Sequence, residues 1–524
     1  MRLLLTILVI IGLGALLAAP GGAQGKNYTA ASCNESDVQS AISAEQVSPQ
    51  DGDVIVIPAG TCTWTGTSVI TQTFTNSVTI QGAGAQYATT GGAGTAGTDQ
   101  TIIIDNVNYS GGPSSAFVFT TTAGKSFEWT GIFLEENSSS QVASNGMLNI
   151  TGTSTAVRVD HSHFYLYLQT VALRFNGSVT GVADHDFFDA LAGNLTNDIA
   201  FHNGTTWQGD TSGNADQSWV DTDHFGTSEF MFAEDDLFNN GDVGDAHDGA
   251  RFVIRHCTMQ NTVNNGQMYT HGLTDARGRA TRAAEVYLNN WSEAQATGNP
   301  TYSFNSGALL YWGNTVNNYR GAVQMSYTRS SNQTYTYMAP PSGWGYCGTA
   351  QTGSPSAWDE NLNNYGYACL DSPARGAGDL LSGNFPSVVD TRTGTITWPQ
   401  QVLDPAYVWN NTYTNPYAGA SIVTTGPMFT DNVDYYQQFG TYGEGGSFNG
   451  TKGVGQGLSN AKPSTCTAGP GGNTPGVGYW ATDTNTLYVC NPTNTWTVYY
   501  TPYTYPNPLI GGVVASAGRI AGKH

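Results

Sequence analysis

Titratable side chains in this sequence are bunched. Eight of the nine histidines lie between His161 and His271, ten acids fall between Asp216 and Asp248, and five of the 18 basic residues are Arg251, Arg255, Arg277, Arg279 and Arg282. Histidine is the side chain best placed to take a proton near neutral pH. Clustered carboxylates supply oxygen ligands for Ca²⁺ or, as a pair, the acid and base of glycosidic bond hydrolysis. Arginine binds planar anions such as a uronate carboxylate.

Part of this clustering is a repeat. Val159-Asp-His-Ser-His-Phe is echoed by Ala183-Asp-His-Asp-Phe-Phe, Ala233-Glu-Asp-Asp-Leu-Phe, Ile254-Arg-His-Cys-Thr-Met, Val286-Tyr-Leu-Asn-Asn-Trp and Leu310-Tyr-Trp-Gly-Asn-Thr. Asp160-His161, Asp184-His185 and Arg255-His256 therefore occupy equivalent places and are expected to form a stacked polar ladder. His163 and His202 are read as residues of the same kind. Three segments lie between the repeats: Asp221-Thr-Asp-His224, Asp242-Val-Gly-Asp-Ala-His-Asp248, and His271 through Arg282. They give the candidate site: His247, His271, Arg277 and Arg282 for chemistry, Asp223, His224, Arg251, Arg255 and Arg279 for substrate binding, and Asp242, Asp245 and Asp248 for a Ca²⁺ ion. Paired carboxylates for a hydrolase are sought among Asp223, Glu234, Asp235, Asp245 and Asp248.

What must hold these loops is a scaffold of short strands. The 524 residues include 65 Gly and 28 Tyr, and only 11% are charged, a strand and turn composition. Setting Asp160 against Asp184, Glu234 and Arg255 gives steps of 24, 50 and 21 residues, and Asn290 to Asn314 is again 24. One coil of about two dozen residues, with the step of 50 read as two coils, predicts an all-β parallel β-helix. A helix after Cys33, ending near Ile42, precedes the strand Val54-Ile-Val-Ile and is expected to cap the open end of the solenoid. A further coil shows at Tyr407-Val-Trp-Asn-Asn-Thr. The organisation read from this is a leader over 1–23, the β-helix over 24–440 with a long insertion at about 330–386, and a disulfide-closed hairpin with an aromatic tail over 441–524, the aromatics packing against the helix end.

The opening Asp51-Gly-Asp-Val-Ile-Val-Ile-Pro-Ala-Gly-Thr-Cys-Thr-Trp and the coils down to Asn415 resemble the right-handed parallel β-helix proteins of the pectin lyase superfamily. Within it, Arg277-Gly-Arg-Ala-Thr-Arg282 ahead of Glu285-Val-Tyr-Leu-Asn-Asn is similar to the pectate lyase pattern of Arg, any residue, Pro, two residues, Arg, with Arg279 standing where that pattern has Pro. Val157-Arg-Val-Asp-His161 resembles the same family's Asp-His strand. The resemblance implies β-elimination on a uronate polymer: Ca²⁺ acidifies the ring C–H, Arg277 removes the proton and Arg282 holds the charge. His271 is the easier base by its ordinary pKa.

The remaining features bound the setting. Arg2, the apolar run from Leu3 to Ala19 and the small residues up to Ala23 read as a secretory signal with cleavage near Ala23. Six of the seven cysteines pair by proximity as Cys33 with Cys62, Cys347 with Cys369 and Cys466 with Cys490, leaving Cys257 as a buried thiol. A net charge of −21 argues against nucleic-acid binding, and no later run is long enough to insert in a membrane. The expectation is a secreted lyase acting on an acidic polysaccharide. A non-catalytic glycan-binding or adhesion β-helix protein, or a glycoside hydrolase, stands as the alternative.

Overall fold

A computed structural model describes residues 25–511, except 68, 90–91, 110–113, 138–142, 168–170, 193–196, 205–223, 247, 262–266, 271–280, 295–298, 326–372, 375–376, 379–388, 391–394, 397–400, 403, 417–419 and 426–428. The chain winds as a right-handed parallel β-helix in which each coil gives one strand to each of three sheets. Sheet A has 12 strands, from Asn27–Thr29 to Tyr435–Gln437; sheet B has 10, from Gly60–Gly66 to Thr412–Thr414, and sheet C has 10, from Ile70–Thr73 to Val423–Thr425. Pairing within all three is parallel. Alternate side chains point inward, and like residues from successive coils stack there. Phe164, Phe188 and Phe238 form one such column with ring centroids 5.0 Å apart. That spacing is the inter-strand distance.

The capping helix is Glu35–Glu45, and it packs Val38, Ala41 and Ile42 into the solenoid core. A strand the sequence did not announce, Asn27–Thr29, precedes it and forms the first strand of sheet A by pairing with Asp53–Val56. Cys33 is bridged to Cys62, and Cys466 to Cys490. Both bridges fit an oxidising compartment. Cys257 is free and buried. The expected Cys347–Cys369 bridge and the leader over 1–23 lie outside the described residues. Among the described residues no helix is long and apolar enough to cross a membrane.

The register corrects the repeat in two places. Asp160, Asp184, Glu234 and Arg255 are in-register neighbours in sheet A. The step of 50 is therefore one coil, whose extra length sits in the connection 203–230 between sheet C and sheet A. Further on, Val286 pairs with Tyr311 and Tyr287 with Trp312, so this step is 25 and the 24-residue match of Asn290 to Asn314 is one position out. A hydrogen bond sets the register, since Asn289, not Asn290, stacks on Asn314, with Nδ2 to Oδ1 at 3.0 Å.

The turn from sheet A to sheet B is nearly invariant. It holds two residues, the first in left-handed backbone: His161, His185, Asp235, His256, Leu288, Gly313 and Asn410 in successive coils. The second points inward and accepts a hydrogen bond from the backbone N–H of the equivalent residue one coil earlier, as Asp186 does from Ser162, Asp236 from Asp186, Asn289 from Cys257, Asn314 from Asn289 and Asn411 from Asn314. Each coil thus satisfies a buried donor of its neighbour.

The C-terminal segment forms a four-stranded sheet, Val454–Gly457, Gly478–Ala481, Thr486–Cys490 and Trp496–Tyr500. It lies along the outer side of sheet A, not at the end of the helix as expected. Trp480 packs at a tilt against Trp312 and Trp409, with centroids 4.9 and 5.4 Å apart. Tyr500 donates to Glu285, and the carbonyls of Tyr503 and Thr504 accept from Arg255.

Candidate functional site

The left-handed turn residues mark one corner of the solenoid. Over the coils of His185, Asp235, His256 and Leu288 a cavity of about 310 Å³ opens at this corner. One wall is the small hairpin Ala88–Thr89 with Gly92–Ala93, inserted between sheets A and B of an earlier coil and tied down by the Ala88 N–H on the His185 carbonyl, 2.9 Å. The opposite wall is Tyr505, delivered by the C-terminal tail.

Each titratable group here is held in a distinct state. The His185 pKa is raised because its ring bonds to the Asp184 carboxylate at 3.0 Å. Burial and the neighbouring Arg255 depress His256 to about 4, leaving a bare imidazole at neutral pH. Its ring stacks on Tyr505 with centroids 3.7 Å apart. Burial raises Asp235, which accepts from the Tyr505 hydroxyl at 3.0 Å, and burial with Asp235 pushes the phenol up to about 12. The cavity therefore sets an uncharged base, a protonated hydroxyl and a histidine biased toward the cation around one space, the set required for moving protons on an anionic substrate.

The sequence-derived site falls on a different edge. The connections 203–230, 247–250 and 271–282 leave adjacent strands of sheet C and enter adjacent strands of sheet A, so their ends sit side by side. Asp223, His247, His271, Arg277 and Arg279 lie outside the described residues. Asp242 and Asp245 belong to the strand Asp242–Ala246, not to a loop, and the charges of both reach the Tyr269 hydroxyl, whose pKa burial raises first. Asp248 follows in left-handed backbone and meets His202 Nδ1 at 2.8 Å, while Arg174 reaches the same nitrogen at 2.8 Å. That nitrogen accepts from Arg174 when bare and donates to Asp248 when protonated. Among the described residues, no group of three or more His, Cys, Asp or Glu is arranged to hold a metal ion. His224 turns to Glu229, Arg251 is half-buried where its strand begins, and Arg282 is buried.

Arg255 is a correction. It is fully buried under the tail, and its guanidinium is occupied by Glu234, the Tyr287 hydroxyl and the carbonyls of Tyr503 and Thr504. It fastens the tail and does not face a substrate. His161, His185 and His256 occupy equivalent corner positions, as the ladder reading has it: the His161 and His185 rings stack with centroids 5.3 Å apart, Arg255 pairs with Glu234 of the preceding coil, and the inward residues that follow the histidines add further bonds between coils. Tyr505 belongs to the aromatic tail, whose expected place is against the helix end, with stacking on a sugar or partner as the alternative. Nothing in its local sequence could bring it to His256, because the contact spans the whole C-terminal half of the chain.

No family model matches this chain, and no curated protein matches it. Among solved structures it is similar to ORF18 of Geobacillus virus E2, at 12% identity and a TM-score of 0.26, over 56% of this chain and 51% of that one. The match spans about half of the viral chain, and a likeness this remote carries no functional argument.

Proposed function

We propose that this protein cleaves an acidic polysaccharide by β-elimination in the cavity at the corner between sheets A and B. The single observation that carries the reading is the contact of His256 with Tyr505: a base kept unprotonated stands against an acid kept protonated, in one cavity. In the reaction, His256 takes the proton on the carbon next to the uronate carboxylate. The released electron pair forms the ring double bond, the bond to the glycosidic oxygen breaks, and that oxygen takes a proton from the Tyr505 hydroxyl. His185 faces the substrate carboxylate and offsets the charge that builds there. Solvent then returns the proton from His256 to Tyr505.

The test is turnover of pectate, alginate and glycosaminoglycans, with and without Ca²⁺, read as an ultraviolet-absorbing unsaturated product. His256→Ala should cut kcat by about 10² to 10⁴, and the acid limb of kcat/KM should fall near the His256 value of about 4, since the base works only when bare. If His271→Ala or Arg277→Ala abolishes turnover while His256→Ala does not, the reaction belongs to the sheet C to sheet A edge. No product from any polymer would remove the lyase reading altogether.

A further inference from the structure

The corner runs on past the first cavity, through Leu288 and Gly313, to Asn410, where a second cavity of about 320 Å³ opens. Three coils separate His256 from Asn410, about 14 Å at the usual strand spacing. Along this path the outward residues of sheet B that stand in register are Thr258, Asn290, Thr315 and Thr412, and the last three are exposed.

The two cavities differ in chemistry. The first holds His185, Asp235 and His256. The second is lined by Trp409, Asn410, Gln438, Phe439, Phe448 and Gln456, with no charged side chain in its wall. Lys452 stands over the Phe439 ring but is held by Glu444 at 2.7 Å. Asn410 and Gln456 are exposed at the rim, and the indole N–H of buried Trp409 finds no acceptor among the described residues. Aromatic faces with amide donors and acceptors recognise hydroxyls and apolar ring faces, not carboxylates. A uronate placed here would lose water and gain no counter-charge.

We propose that the second cavity is a distal subsite for an uncharged sugar of the same strand that is cleaved at His256, so that the natural substrate intersperses neutral with acidic residues. The identity of the strand rests on the lyase reading. Full-length protein and the turnover-deficient His256→Ala variant are titrated calorimetrically with hyaluronan oligosaccharides, which mix both sugar types, and with oligogalacturonates of equal length. The mixed oligosaccharides should bind about fivefold tighter or more, and Phe439→Ala or the rim variant Gln456→Ala should erase that difference while leaving binding of the shortest oligosaccharides unchanged. Equal binding of both polymers, or equal loss at all lengths in both variants, overturns the subsite. Preferential binding without cleavage by the wild type leaves the subsite and removes the lyase; cleavage without preference does the reverse.

Discussion

The two edges that flank sheet A obey opposite rules. At its junction with sheet B the turn keeps two residues through coil after coil from His161 to Asn411, because the second of them must reach the backbone of the preceding coil. At its junction with sheet C the connections run from the short 247–250 to 203–230 and to the stretch between Gly321–Met325 and Ala406–Trp409. Loops there lengthen at little cost, since closing a longer loop adds only slowly to the entropy lost. Strict spacing thus marks where buried donors must be satisfied, and irregular length marks where the chain is released into solvent. The cavity with His256 sits on the strict edge. Its floor is consequently fixed by the scaffold, and only its walls, the early hairpin and the late tail, are additions.

The largest expected break in this contrast comes from moving the same insertion between edges. Two glycines placed between His256 and Cys257 should cost about 5 kcal/mol or prevent folding, since they displace Cys257 from its bond to Asn289. The same pair between Ser228 and Glu229, both exposed in the connection 203–230, should cost about 1 kcal/mol or less by chemical denaturation. Equal losses would refute the distinction.

One strand sharpens the comparison, because Arg251–Arg255 has an arginine at each end. Arg255→Ala leaves Glu234 buried without its cation and should lower stability by about 3 to 5 kcal/mol, with early proteolysis of the tail. Arg251→Ala, at the half-buried end, should cost about 1 kcal/mol or less. A tail that stays protected in Arg255→Ala would show that aromatic packing alone holds it.

The smallest effect is expected at the last coil, beyond the strict turns. There burial and the adjacent Glu444 raise Asp431 to about 7, while Lys452 and Asn432 help hold Glu444 below its ordinary range against its own burial. A folded carboxyl that keeps its proton to about 7, when the unfolded one loses it near 4, destabilises the fold as pH rises through that window. Asp431→Asn removes this loss, so its stability relative to wild type should grow between pH 4 and 8, by about 1 kcal/mol at this partly exposed site. Glu444 works in the opposite direction and keeps its bonds to Lys452 and Asn432 in the variant, while its bond to Asp431 is exchanged for one to an amide. A stability difference that is flat with pH would contradict the assignment.

How far the fold could be read follows from the same contrast. Asp160, Asp184, Glu234 and Arg255 could be aligned by eye because the two-residue turns hold them in step. The alignment slipped by one at Leu310 because two adjacent asparagines, Asn289 and Asn290, compete for one ladder position, and only the hydrogen bond to Asn314 decides between them. The step of 50 was misread as two coils because a long sheet C to sheet A connection has no spacing to obey. The cavity was half legible. His185, Asp235 and His256 carry visible chemistry, but their placement toward the hairpin and Tyr505 depends on contacts far apart in the chain.

The tail also sets an order of events. Arg255 is sealed by carbonyls 248 and 249 positions further along, and the wall supplied by Tyr505 stands 270 positions after Asp235. During synthesis every coil can settle on its predecessor as it emerges, yet the His256 cavity lacks a wall until Tyr505 has followed. A chain cut short before Tyr503 would therefore stack its coils and leave both Arg255 and the cavity uncovered.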